Sequence, residues 1–72
     1  MPDDAYLDAD AAIARLPDHE RQVVELTYFA ELSQKEIAER LDVPLGTVKA
    51  RASRGTRRLG EMIRANQEGG DR

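Results

Sequence analysis

The sequence contains no cysteine and a single histidine among its 72 residues. Without cysteine, neither disulfide bonds nor thiolate metal sites are available. No apolar run reaches the length of a signal peptide or a membrane span, which favours a cytoplasmic protein. A chain of this size forms one domain at most, with a thin margin of stability and little room for a deep catalytic cleft.

The side chains that most often carry catalysis or bind metals are scarce or poorly grouped. His19 has no cysteine or second histidine to act with, and we expect it to be solvated in a first helical turn. The early aspartates would spread around the surface of a helix, and no glycine-turned calcium loop accompanies them. These aspartates are Asp3, Asp4, Asp8 and Asp10. We therefore expect no enzyme, no metal site and no cofactor.

Charge is distributed unevenly along the chain. Residues 1–48 carry 4 basic and 11 acidic side chains and residues 49–72 carry 7 and 3, so net charges of −7 and +4 give the −3 of the whole. Five cations lie between Lys49 and Arg58 without one acidic residue. A solvated helix face is the ordinary interpretation of a charge run. The lack of interleaved glutamate favours a docking surface for a polyanion instead.

The spacing of apolar residues is helical throughout and predicts an all-α domain of four helices with a C-terminal helix-turn-helix. The first helix is predicted over roughly residues 4–15. Pro17 ends that pattern and suits the start of a second helix, which runs to about Ala30 and which we expect to be the most buried. The last helix is predicted over about residues 45–65. We assign residues 1–66 to this domain and residues 67–72 to a disordered polar tail.

The clearest local signal is the segment LSQKEI, where Ser33 precedes Glu36 by three residues. This spacing predicts a capping box at the start of a short third helix, and the cap is worth about 1 kcal/mol. The helix should end at Asp42 and Val43, because Pro44 follows. Two helices joined by so short a turn form the outline of a helix-turn-helix, although a plain αα-corner has the same periodicity.

One stripe of the last helix is apolar or small and is predicted to face the core. Its members are Val48, Ala52, Gly55, Leu59 and Ile63. The first two turns of the opposite face carry short side chains with long cations beside them, which suits insertion into a major groove. We expect base contacts from Thr47, Lys49, Ala50, Ser53 and Arg54. We expect Arg51, Arg57 and Arg58 to hold the phosphate backbone.

An alternative to DNA binding is that the domain binds another protein through its helical groove. The acidic first half of the chain and four of its apolar residues would serve a protein partner, namely Ile13, Leu26, Phe29 and Leu32. We expect Tyr28 and Phe29 to lie in the core, because a small domain has few large apolar side chains to spare.

The stretch LPDHERQVVELTYFAELSQKEIAERLDVPLGTVKARASR closely resembles region 4 of bacterial sigma factors, particularly the extracytoplasmic-function (ECF) group. The resemblance covers about residues 12–59. It implies binding of the promoter −35 element through the last helix, contact of the earlier helices with the β flap of RNA polymerase, and sequestration by an anti-sigma factor. DNA contact would be inherited by Thr47, Lys49, Ala50, Arg51, Ser53 and Arg54. LuxR-type output domains share part of the pattern but typically lack its Leu–Pro start and its Pro–x–Gly.

The sequence departs from the family pattern at four positions. The family usually has glycine at Asp42, serine at Ala50, a larger aliphatic residue at Ala52 and alanine at Gly55. Asp42 is expected to take the left-handed conformation that glycine would adopt. The small residues at Ala52 and Gly55 predict a loosely packed core. No counterpart of the −10-binding region occurs in these residues, so we expect that this chain by itself does not direct initiation.

Overall fold

The computed structural model describes residues 9–70, with side chains described for residues 9–65. Four helices follow one another along the chain: α1 (Ala9–Ala14), α2 (Asp18–Tyr28), α3 (Gln34–Leu41) and α4 (Leu45–Gly70). The all-α, four-helix prediction is confirmed. The part of the first predicted helix before residue 9 and the last two residues of the predicted tail lie outside the described residues.

The junction between α1 and α2 is a tight turn that proline terminates. Leu16 N–H donates to the Ile13 carbonyl at 3.1 Å, and the Leu16 side chain is buried. Pro17 then adopts φ −55° and ψ 151°, outside the helical region, and α2 begins at the next residue. The Pro17 carbonyl accepts from Arg21 N–H at 2.8 Å, which is the first hydrogen bond of the new helix.

The predicted capping box at the start of α3 is present. Ser33 Oγ accepts from Glu36 N–H at 3.1 Å, and a Glu36 carboxylate oxygen accepts from Ser33 N–H at 2.8 Å. At the other end of α3, Asp42 has φ 58° and ψ 50°, the left-handed conformation expected of it. Val43 N–H donates to Ala38 O at 3.1 Å and Asp42 N–H to Glu39 O at 3.3 Å. This is the Schellman pattern of a helix end.

The core consists of two adjoining clusters, and α4 contributes to both. Val23, Ile37, Ala38 and Val48 form the first, with Ala52 packed against it. Ile13, Leu16 and Val24 form the second, with Leu59 and Met62 packed against it. The predicted apolar stripe of α4 therefore does face the interior. Met62 joins it one position before the predicted Ile63.

Gly55 marks a close approach of α4 to α2, which corrects the expectation of loose packing at this position. A Cβ atom built on Gly55 would lie 2.8 Å from Val24 Cγ2, 3.5 Å from Glu20 Cβ and 3.6 Å from Glu20 O. The space that the missing side chain leaves is thus already filled by α2. Gly60, by contrast, has no heavy atom within 4 Å of such a Cβ, and the helix continues through it.

The prediction that Tyr28 and Phe29 lie in the core is wrong. Their exposed fractions are 56% and 60%. α4 meets α2 near Glu20 and Val24, so the last turn of α2 projects beyond that contact. Aliphatic side chains fill the core without the two rings.

Helix ends differ from the predicted ones by a few residues. α2 stops at Tyr28 rather than about Ala30. α4 continues to Gly70, so the backbone at residues 67–70 is helical where the sequence predicts a disordered tail. Gln67 and Glu68 are good helix formers and no proline intervenes, so nothing in the local sequence stops the helix at residue 65. The proposed division into domain and tail stays a prediction.

Two glycine-to-alanine substitutions in the same helix should change stability in opposite directions. Gly60→Ala should raise the free energy of unfolding by about 0.5–1 kcal/mol, because alanine is the better helix former and the site is open. Gly55→Ala offers the same gain in propensity but displaces the stiff, buried Val24 side chain, so we expect a net loss of about 1 kcal/mol. Urea denaturation measures both, and equal stabilisation by the two variants would contradict the close approach.

Candidate nucleic-acid interface

The interface begins where α4 leaves the turn after α3. The Pro44 carbonyl accepts from Thr47 N–H at 3.0 Å and from Val48 N–H at 3.2 Å, which starts the helix at Leu45. Val48 is completely buried between α2 and α3. With that side chain fixed inside, the helical period turns Ala50, Ser53 and Arg57 away from the core.

All eight residues that the sequence assigns to DNA contact lie on the outward face of α4 or on its flanks, and none is buried. Lys49, Ser53, Arg54, Arg57 and Arg58 are exposed. Thr47, Ala50 and Arg51 are half-buried. Their individual contacts with DNA stay predictions.

The first two turns of this face are shallow. Gly46 has no heavy atom within 4 Å of a hypothetical Cβ, so the space beside it is open. Thr47, Ala50 and Ser53 follow with short side chains, and Lys49 and Arg54 are exposed beside them. Short side chains allow a helix to sit deep in a major groove, where methyl and hydroxyl groups meet base edges and longer cations reach guanine or phosphate.

A cleft of about 610 Å³ separates this face from the first turn of α2. Its α4 wall consists of Gly46, Thr47, Ala50, Arg51 and Arg54, and its α2 wall of residues 17–20. His19 lies exposed on the α2 side. No local sequence pattern predicts this cleft, because it depends on how two helices about thirty residues apart in the sequence cross.

Beside the cleft, the arginines of the next turns of α4 converge. Arg54, Arg57 and Arg58 line a depression of about 310 Å³ together with Glu61. Arg58 Nε also lies 2.9 Å from Glu20 Oε1 on α2. Glu20 is only 7% exposed. The sequence alone places its carboxylate in the first turn of a helix and does not indicate burial. Nothing in the local pattern predicts that it is buried, because its partner is 38 positions away.

The residues assigned to a protein partner divide into buried and exposed ones. Ile13 is buried in the second core cluster, so its side chain supports the fold and does not form part of a surface. Leu26 and Leu32 are half-buried against the first cluster. Phe29 is exposed and adjoins the exposed Tyr28, which the sequence analysis left out of the surface. We call Leu26, Tyr28, Phe29 and Leu32 the aromatic surface.

Within residues 9–70, no three histidine, cysteine, aspartate or glutamate side chains are grouped so as to hold a metal ion. In the same part of the chain, no helix has the length and the apolar character needed to cross a bilayer.

Comparison with known proteins agrees with the geometry. The chain is 40% identical to the ECF RNA polymerase sigma factor SigW of Bacillus subtilis (strain 168) over 70 residues, covering 89% of this chain and 37% of that protein. It is 40% identical to the RNA polymerase sigma factor SigZ of the same organism over 53 residues, covering 74% and 30%. The ECF RNA polymerase sigma factor RpoE of Cereibacter sphaeroides is 45% identical over 40 residues, covering 56% and 22%.

The chain thus spans about a third of the length of the first two of these relatives. No solved structure gives a significant match. The family described as "Sigma-70, region 4" matches residues 6–59, which is most of the chain. This match confirms the resemblance to sigma-factor region 4 and decides against the LuxR-type alternative. The chain belongs to the family described as Sigma-70, region 4.

Proposed function

We propose that this domain binds the promoter −35 element by placing the first turns of α4 in the major groove. The observation that carries the proposal is the division of α4 into two faces. Val48 and Gly55 are buried against α2 and α3, while the opposite face is shallow and bordered by exposed cations. A buried stripe of this kind leaves one orientation in which the helix can present itself to DNA.

The proposed contacts with DNA are assigned from the length and the position of each side chain on α4. Lys49, Ser53 and Arg54 are exposed near the start of the helix, where a recognition helix meets base edges. Thr47 and Ala50 are half-buried beside them, and their methyl groups suit contact with a thymine methyl. Arg51, Arg57 and Arg58 lie at the flanks or farther along the helix and are assigned to phosphates.

The aromatic surface is proposed to bind RNA polymerase. It includes two neighbouring rings that are more than half exposed, and exposed aromatic residues are typical anchors of protein interfaces. We assign the β flap of the polymerase core to this surface. We further propose that an anti-sigma factor competes for the same helices.

We extend to this chain the activity in its relatives' names, that of an RNA polymerase sigma factor, as a proposal. The domain would contribute −35 recognition and polymerase contact in the cytoplasm. The contribution of this domain would be binding, since the transfer of nucleotides belongs to the polymerase.

A salt titration tests the DNA proposal against a purely protein-binding module. A duplex is first selected from a random library with the 72-residue chain, and its affinity is then measured between 50 and 200 mM salt by fluorescence anisotropy. Contact with about four phosphates predicts a slope near −3.6 in a plot of log K against log salt concentration. A flat response would show that protein partners alone use this domain.

Arg54→Ala should weaken binding to the selected duplex by about 1–3 kcal/mol, because an arginine paired with a base edge contributes that much discrimination. Binding to a scrambled duplex should change much less. Arg57→Ala is the matched control, since it removes the same side chain one turn further along the same exposed face and should weaken both duplexes alike. Equal losses on both duplexes for Arg54→Ala would assign Arg54 to a phosphate.

Phe29→Ser should weaken binding to purified RNA polymerase core at least about tenfold, a change of about 1.4 kcal/mol. The free energy of unfolding should move by no more than about 0.5 kcal/mol, because the ring is exposed. Leu45→Ser is the control, since it removes another exposed apolar side chain, the first residue of α4, which lies outside the aromatic surface. Equal losses for the two variants, measured by biolayer interferometry, would contradict the assignment of the aromatic surface.

A further inference from the structure

Glu20 is the one charged side chain buried among the described residues. Its Oε1 atom is shielded from solvent, and no hydrogen bond reaches it from the described part of the chain. The nearest cation is Arg58, whose Nε lies 2.9 Å away. The contact is an ion pair in which the N–H of Arg58 is not directed at the oxygen.

Glu20 lies beside the point where α2 comes closest to the bare backbone of α4. Gly55 lies one turn before Arg58, and a Cβ atom built on it would lie 3.5 Å from Glu20 Cβ and 3.6 Å from Glu20 O, so Glu20 packs beside the bare backbone of α4. The first turn of α2 is therefore held directly against α4. This close approach accompanies the ion-pair contact between Glu20 and Arg58.

Arg58 keeps its hydrogen-bonding capacity in this arrangement. Its side chain is 53% exposed, and its Nε–H makes no hydrogen bond to Glu20 Oε1. An arginine has five N–H donors in a planar fork that matches phosphate oxygens. Glu20 thus restrains the guanidinium by charge while leaving these donors available.

The depression next to this pair is suited to an anion. Arg54, Arg57 and Arg58 line it, and Glu61 is its one acidic member. Three guanidinium groups around one small space repel each other, and a bound anion relieves that repulsion. The depression adjoins the face of α4 that we assign to the major groove, where a strand of the DNA backbone would pass.

We propose that Arg57 and Arg58 seat one DNA phosphate in this depression, while Arg54 at its edge reads a base, and that Glu20 is a positioning residue, which holds Arg58 in place for that phosphate. The inference rests on the proposed DNA-binding function and adds a residue of α2 to it. A restrained arginine loses less conformational freedom on binding than a free one, so the pair strengthens the contact with any DNA sequence. The carboxylate acts through Arg58 and does not touch DNA.

Glu20→Gln tests the proposal, because the expected change in DNA affinity is opposite to the change that removing a negative charge alone would cause. Loss of a negative charge near DNA by itself strengthens binding, whereas loss of the positioning group weakens it. We expect Glu20→Gln to weaken binding to selected and scrambled duplexes alike, by about three- to tenfold at 150 mM salt, and to reduce the magnitude of the salt slope by about 1. Arg58→Gln should have the same two effects.

The double variant identifies the pair as one unit. Glu20→Gln combined with Arg58→Gln should bind no more weakly than Arg58→Gln alone, because the carboxylate has nothing left to position. Arg57→Gln is the matched control. It lowers the slope by the same amount but leaves the pair intact, so its effect should add to that of Glu20→Gln. All variants are compared at a temperature where circular dichroism shows them folded.

The outcomes separate this inference from the proposed function. A wild-type chain without salt-dependent DNA binding would overturn the function itself. With normal wild-type binding, a Glu20→Gln variant that binds DNA equally or more tightly would overturn the positioning role, and an unchanged slope for Arg58→Gln would overturn the phosphate seat. If Glu20→Gln does not fold, Glu20→Asp withdraws the carboxylate while keeping its charge, and unchanged affinity and slope in that variant would equally overturn the role.

Discussion

The burial of Val48 is the constraint on which the rest of the structure depends. This side chain is completely buried. It packs with Val23 of α2 and with Ile37 and Ala38 of α3. Because a helix is rigid in rotation about its axis, enclosing one residue in its first turn sets the direction of every other side chain. The shallow, cation-bordered face is outward for that reason, and so the DNA proposal rests on a packing interaction.

Local signals predicted the features that depend on neighbouring residues. The capping box at Ser33 and the left-handed Asp42 are set by a few consecutive residues, and both are present. The apolar stripe of α4 follows from helical period alone, and Val48 and Leu59 confirm it. The left-handed Glu31 was not foreseen, since glutamate has no particular preference for that conformation. It is imposed by the turn in which Leu32 N–H reaches back to Leu26 O at 3.0 Å.

Features that depend on how distant helices meet could not be predicted in this way. Composition suggested that Tyr28 and Phe29 were needed in the core, yet the aliphatic residues fill it and leave the rings outside. The missing side chain at Gly55 suggested a void, yet α2 occupies that space. The pairing of Glu20 with Arg58 depends on the same close approach. In each case the deciding quantity is the crossing of α2 and α4, which no single segment encodes.

The uneven charge of the chain agrees with the proposal that DNA and RNA polymerase bind to two different surfaces. The cations of α4 face the proposed DNA groove, and the aromatic surface lies at the far end of α2.

The most direct test is a titration of the isotopically labelled chain with its selected duplex, in which amide NMR shifts are monitored. The account predicts the largest shift changes at residues 46–54, with residues 26–32 nearly unchanged. Changes concentrated at residues 26–32, with residues 46–54 unaffected, would contradict it.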